Sequence, residues 1–526
     1  MENFTKLTGC ACCGISRRNF LAAGCAACAG AVGLMAGARP AFAAGAGGKF
    51  KIRVVYSLHA ATQDRPDWPN IGFQFTPVIE QINSALENAC PEFEFLTALA
   101  SGPEEAKKVV EQDASQNIDG YIVYQMNAWN KVVQTLADTG KPVLYADYAY
   151  AGSGGFLIYN AGFMRENRPN IGFVSSQKME DVIAAAKCFG LVKGGNGLAD
   201  FVAATAKARI DRTPKPSLDA LKPDDLKTLG IEDWQARMKA SKILAVRDDK
   251  AAGPVEGPAG NWFGAPVIHV PFSELNDAWA AADKDEAREI VDKWEKAAAV
   301  IKDVSRETLE TSAAMYLGQK AVLKKYGANA ITINCLGGFY GGHIHAYPCL
   351  GFYELNNEGL IGACECDVRS TATMLAFTTL AGGRPGYISD PVMDSSKRQI
   401  IYAHCVGSSK VFGPQGETNP IEILTHSEDR QGACVRSIMP LGYMTTTMEL
   451  NPDNKEILFH QAKAVENDPN DRACRTKLCG EPVGDFEKLF SLWDKWGWHR
   501  VTFYGDLKKP VFALADALGW KIVEEA

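Results

Sequence analysis

From residue 50 onward, short apolar runs alternate with amphipathic segments. KIRVVYSL, FEFLTAL, YIVYQM and KPVLYAD are rich in β-branched and aromatic residues and read as strands. Between them, FTPVIEQINSALENA, EEAKKVVEQDAS and NKVVQTLADTG repeat apolar residues at helical spacing. Near-continuous apolar strands separated by such helices predict βαβ units and a parallel sheet. Ligands of such sheets bind beyond the carboxyl ends of the strands, here the loops 59–68, 125–129 and 147–155. Arg65, Trp68 and Trp129 lie in those loops and suit a sugar, whose CH-rich faces stack on indole rings. Surface packing accounts for the same residues.

A second unit opens near residue 170 with NIGFVSS. Residues 208–262, rich in Pro, Asp and Lys, are expected to form an irregular connection. GAPVIHVPF reads as a strand, 273–326 as almost wholly helical, and ANAITINCL as another strand. Beyond 329, strands, glycines and tight turns prevail until a last helix. The pattern predicts an α/β fold in which Rossmann-like parallel-sheet N-terminal domains, 45–170 and 171–328, precede a mixed, β-rich C-terminal domain, 329–526.

Composition narrows the function. The chain has 526 residues, 46% hydrophobic and 22% charged, with a net charge of -7. That is enough for two or three domains, and no Lys/Arg cluster of the kind that tracks phosphates points to nucleic acid. No apolar stretch in the body reaches the roughly 18 residues of a membrane helix. At the start, Ser16-Arg17-Arg18-Asn19-Phe20-Leu21 opens an Ala/Gly-rich run ending in Ala41-Phe42-Ala43, an A-x-A cleavage pattern. Segment 1–44 resembles a twin-arginine export signal, the alternative being a short membrane anchor. The resemblance implies reading by the twin-arginine translocase, release to the periplasm or outside, and no stable membrane insertion after cleavage. Such export carries folded proteins, often already loaded with a cofactor.

Of 15 cysteines, five fall within 1–44, and the other ten show no CxxC spacing, which argues against a zinc ribbon or iron–sulfur framework. Cys474 and Cys479, in the polar stretch NDRACRTKLCG, are candidates for a local disulfide.

The candidate chemistry centres on GACECDV, residues 362–368. Read as a strand, it sets Glu365 and Asp367 on one face and Cys364, Cys366 and Val368 on the other. Two carboxylates on one face repel each other and lose hydration if buried. That face therefore looks into water or meets a cation. Asp367 could also cap a helix starting near Ser370. His343 and His345, in GGFYGGHIHAYP, would share a face if extended; His404 sits on an apolar strand and His499 between Trp498 and Arg500. Each of these histidines also has an ordinary reading as a loop or core residue.

The stretch PCLGFYELNNEGLIGACECDVRSTATMLAFTTLAGGRPGYISD resembles the core of the L-fucose/L-arabinose isomerase-like family. IIYAHCVGSSKVFG, THSEDRQGACVRSIMPLGYMTTTMEL and GWHRVTFYGDLKKPVFALADALGWKIVEE are similar to its later segments. The resemblance covers most of 50–526, with its specific motifs confined to 329–520. It implies an intramolecular oxidoreductase that interconverts an aldose and a ketose through an enediol. It also implies a divalent metal, commonly Mn²⁺, held by two carboxylates and a histidine. Matched residue by residue, it implies Asp367 and His499 as ligands and Glu365 as ligand or base. Longer members carry another ligand Glu some two dozen residues before this Asp. Here that region reads GGFYGGHIHAY, with no carboxylate, and Glu354 is a nearer acid. Either the ligands have changed or isomerisation has been lost. The resemblance further implies a homo-oligomer, trimer or hexamer. A periplasmic sugar-binding protein is the alternative, since IDGYIVYQM and GKPVLYAD resemble that class too.

Overall fold

Five parallel strands open the fold: β1 (Phe50–Ser57), β2 (Phe93–Ala100), β3 (Gly120–Gln125), β4 (Val143–Asp147) and β5 (Ile171–Val174), in the order β2–β1–β3–β4–β5. The computed structural model describes residues 48–217 and 219–526, so the twin-arginine segment lies outside the described residues. Strands β3, β4 and β5 are buried along their whole length, because helices cover both faces. Helix α1 (Thr76–Ala89) packs Ile79, Ile82 and Leu86 on one face. Helix α2 (Ser153–Arg165) packs Phe156 and Leu157 on the other. Helices α3 (Met179–Ala186) and α4 (Leu198–Arg212) return to the α1 face. The boundary expected at 170/171 therefore cuts a sheet: Ile171 pairs with Val143 as part of the fifth strand.

The second sheet contains β6 (Ile243–Asp248), β7 (Ala265–Pro271), β8 (Ala330–Ile333) and β9 (Ile361–Cys364), parallel and ordered β9–β8–β6–β7. Strand β6 lies inside the segment expected to be irregular. Its apolar residues Ile243 to Val246 are fully buried, but Lys, Asp and Pro on both sides dilute the run when composition is averaged. Helix α5 (Arg306–Tyr326) matches the helical reading of 273–326, and the short helices α6 (Cys335–Tyr340) and α7 (Cys349–Asn357) follow β8. Helix α8 (Val368–Leu380) leaves β9.

The C-terminal region closes into a six-stranded antiparallel barrel. Its strands are β10 (Tyr387–Asp394), β11 (Gln399–His404), β12 (Met444–Asn451), β13 (Glu456–Asn467), β14 (Thr476–Pro482) and β15 (Arg500–Tyr504). The order is β12–β15–β10–β11–β14–β13, and β13 pairs back on β12. Closure removes the free edges a mixed sheet would expose. The disulfide expected between Cys474 and Cys479 is not formed. Both are buried free thiols: Cys479 is carried off along β14, and Cys474 lies against Cys405. Among the described residues, no helix is long and apolar enough to cross a membrane.

Candidate metal and sugar site

Glu365, Asp390, His404 and His499 converge at the barrel, each offering an atom within 4.8 Å of the others. They come from the turn after β9, the middle of β10, the end of β11 and the residue before β15. Register explains the meeting. Asp390 lies opposite Ala403 on β11, and Ser389 opposite Arg500 on β15, so neighbouring strands bring residues 390, 404 and 499 together.

GACECDV is not one strand. Strand β9 ends at Cys364, and Glu365 and Cys366 follow with φ of 69° and 59°. Left-handed backbone at a residue with a Cβ costs roughly 1–2 kcal/mol, and such strain concentrates at functional turns. The turn is needed because α8 begins three residues on. Asp367 caps that helix, accepting the Ser370 N–H at 3.0 Å and the Ser370 hydroxyl at 2.8 Å. Both acids still line the same cleft, aimed by a turn and a cap where strand alternation was expected to aim them.

His499 is bridged by carboxylates. Its Nδ1 lies 2.9 Å from Asp367 Oδ2 and its Nε2 3.1 Å from Asp390 Oδ1. Burial disfavours the imidazolium, but Asp390 and Asp367 together raise the His499 pKa well above the usual value. Burial pushes the Asp367 carboxyl up; the His499 hydrogen bond and charge, with the Ser370 N–H, outweigh it and hold the group well below the carboxylate range. Glu365 is raised well above that range by burial first and then by the Asp390 charge.

His404 is placed differently. Its Nδ1 accepts the Cys405 N–H at 3.0 Å, so a neutral ring carries its proton on Nε2. Burial lowers its pKa and keeps it neutral. Nε2 sits 3.8 Å from Asp390 Oδ2, buried and without a hydrogen-bond partner among the described residues. It is a donor awaiting an acceptor.

Glu365, Asp390 and His499 open into a cleft of about 770 Å³, with His404 buried behind them. Trp68 and Trp129 arrive from the loops after β1 and β3 and pack against Trp498, with ring centroids at 5.1 and 5.9 Å. Asn127 ties the loops together by donating to the Trp68 carbonyl at 2.8 Å. Trp498 also lies over Gly154 of α2, where a Cβ would come within 2.6 Å of the indole. The walls carry Asp67, Glu365, Asp367, Asp390 and Glu428 against His499 and one arginine, Arg369, whose guanidinium is turned to the Trp496 carbonyl and Glu449. Burial pushes Glu428 up to about 7, and its carboxylate accepts the Tyr340 hydroxyl at 2.9 Å.

Other sequence candidates lie elsewhere. Arg65 is exposed and pairs with Asp64, outside the cleft lining. His343 is exposed and stacks on Phe272, and His345 lies beside Trp279, because the glycine-rich loop after α6 turns outward. Glu354 is held within α7 by Trp294 Nε1 at 2.6 Å. Sequence reasoning missed Asp390 and Glu428. An acid inside the apolar run YISDPVM was the available signal for Asp390. Spacing was another. Glu365 stands some two dozen residues before Asp390, so the Glu-then-Asp separation that the resemblance implies is present one acid further along.

Sequence relationships bear on this site. No protein-family model matches the chain. A sulfoquinovose isomerase of Clostridium sp. (strain MSTE9) is 24% identical over 263 residues, 49% of this chain and 57% of that protein. A sulfoquinovose isomerase of Priestia aryabhattai is 24% identical over 199 residues, 37% of this chain and 44% of that protein. The chain thus spans about half the length of the curated relatives it matches. Among solved structures, an ABC transporter periplasmic solute-binding protein from Actinobacillus succinogenes 130z with bound D-allose is 9% identical. It covers 63% of this chain and 92% of its own, with a TM-score of 0.17, an overlap too slight to argue from.

Proposed function

We propose that the protein is a metal-dependent carbohydrate isomerase that interconverts an aldose and a ketose. The observation that carries this reading is His499 held between Asp367 and Asp390, with Glu365 beside it, in an acid-walled, tryptophan-roofed cleft. The sequence relatives, which are sulfoquinovose isomerases, support it.

The donor set fits a divalent cation. Glu365, beside the buried Asp390, is driven toward its protonated form by burial and by the Asp390 charge, and a cation between the two would remove that cost. Glu365, Asp390 and His499 Nε2 would hold it, and mixed oxygen and imidazole donors suit Mn²⁺. Asp367 then orients His499 through Nδ1–H. His404 stays outside the ligand set, since its free N–H cannot coordinate; it would donate to a sugar oxygen. When bound, the cation polarises adjacent sugar oxygens and spreads the charge of the enediolate.

Glu428 lines the same cleft and titrates near neutrality, as a proton carrier requires. It takes the C2 proton of the aldose, the C–H electron pair forms the C1–C2 double bond, and O1 is protonated. Return of the proton to C1 and loss of the O2 proton leave the ketose. Trp68, Trp129 and Trp498 pack on the sugar's CH faces and exclude water. Export to the periplasm, for which the SRRNFL segment speaks, and a trimeric or hexameric assembly belong to the same reading.

The test is a sugar screen that includes sulfoquinovose, run in deuterium oxide on chelator-free mature protein with Mn²⁺ added. Isomer formation with deuterium entering the product, lost in Asp390→Asn, is the expected result. Saturable sugar binding with no isomer and no exchange would replace this reading with that of a binding protein.

A further inference from the structure

A second cavity, of about 320 Å³, lies at the carboxyl ends of β3, β4 and β5, between α1 and α3, and shares no lining residue with the acid cleft. One wall is apolar, formed by Val78 and Ile82 of α1 and Val182 of α3. Tyr124 and Tyr148 supply flat faces.

Its charge is the reverse of the cleft's. Arg472, from the loop between β13 and β14, reaches across with its guanidinium 4.6 Å above the Tyr148 ring. Stacking uses the face of the guanidinium and leaves its in-plane N–H groups free for a planar or tetrahedral oxyanion. Nη1 is buried and has no partner among the described residues, and the only acceptor for Nε is Asn470 Oδ1 at 3.5 Å. Lys178 adds a second cation at the rim. The one acid in the lining, Asp147, is buried, accepts the Ser153 hydroxyl at 2.9 Å and is pushed by burial up to about 7, so it offsets the arginine only in part. An arginine that lines a cavity without an ion-pair partner among the described residues, beside an aromatic and an apolar wall, calls for a ligand with both an oxyanion and a flat or CH-rich body. The location is where open parallel sheets bind ligands.

We propose that this cavity binds a small organic anion of about monosaccharide size, its oxyanion on Arg472 and Lys178 and its body against Tyr124, Tyr148 and the α1–α3 wall. The proposal stands on these residues alone and does not depend on the isomerase reading.

Titration calorimetry on the mature protein, without added metal, tests it with phenyl phosphate, inorganic phosphate and benzyl alcohol as probes. Phenyl phosphate should bind one per chain, at least tenfold tighter than inorganic phosphate, with benzyl alcohol not saturating. Arg472→Gln should weaken phenyl phosphate at least tenfold and Tyr148→Ala severalfold, while Asp390→Asn in the acid cleft should leave it unchanged. Lys178→Ala, at an exposed position that folding tolerates, should weaken it severalfold should Arg472→Gln prove unstable. No saturable anion binding at millimolar concentration overturns the proposal. So does binding that survives both Arg472→Gln and Lys178→Ala, or that is lost in Asp390→Asn, which would place the anion in the cleft.

Discussion

The acid cleft on the barrel and the cavity over the first sheet are built from opposite imbalances. In the cleft, five acidic side chains, of which burial pushes Glu365 and Glu428 toward the protonated form, face His499 and one arginine that is already engaged. In the cavity, an arginine without an ion-pair partner among the described residues lies near one carboxyl, Asp147, that burial pushes up to about 7. Removing a charge from water costs several kcal/mol unless a counter-charge offsets it. On the readings proposed above, a cation answers the first imbalance and an anion the second. The contrast teaches that unpaired charge in a concave, partly dry place says more about a ligand than the kinds of residue present.

The contrast can be broken most decisively in the cleft. His499→Ala or Asp390→Asn should reduce bound manganese from about one per chain to near none and isomerase activity at least 10³-fold, read by elemental analysis and product formation. Wild-type protein should melt at higher temperature on adding Mn²⁺, since an ion at a hundredfold over its Kd adds about 2.7 kcal/mol of stability, and these variants should not respond. Glu428→Gln should keep the metal and lower kcat by about 10²–10⁴-fold, the usual worth of a general acid or base. Unchanged kcat would remove Glu428 from the reaction. Asp367→Asn should be milder, weakening metal affinity about 10–100-fold as for a carboxylate that only orients a ligand histidine. A loss as complete as that of His499→Ala would return Asp367 to the ligand set.

The smallest effect concerns the cavity. Burial pushes Asp147 up to about 7, against the Ser153 hydrogen bond and the Arg472 charge and with the Asp394 charge. The folded protein therefore binds more protons here than the unfolded chain, whose Asp titrates near pKa ~3.9. This group's stabilising share is complete below about pH 4 and is lost as pH rises through about 7. Asp147→Asn should flatten that slope in urea midpoints measured from pH 4 to 8. An unchanged slope would show that Asp147 is charged in the folded state.

How much of this was legible follows from the range of each interaction. The first sheet was readable because its strands are apolar runs and its helices keep their own period, both local properties. From these the strand-end loops, and hence Trp68 and Trp129, fall at a site by rule. Strand β6 was hidden because its six residues lie within a polar segment. The acids at 365 and 367 drew notice through composition, but the turn at Glu365 and Cys366 has no local signature, since neither is the glycine that left-handed backbone favours. Asp390 meets His499, and Glu428 meets Tyr340, from segments far apart in sequence, so the acid inside YISDPVM was visible but its partner was not.

The sequence by itself determined the class of fold, the presence of two clustered acids and a late histidine, and the aromatic loops at the strand ends. Each depends on residue type and spacing within a few turns or strands. Only the tertiary structure decided the roles. Closing the barrel sets Asp390 beside His404 and His499, places Asp367 on His499 Nδ1 and at the start of α8, and leaves His404 Nε2 without a hydrogen-bond partner among the described residues. The reason is physical: hydrogen-bond direction and counter-charge depend on distances of about 3 Å between segments more than a hundred residues apart, such as Asp367 and His499.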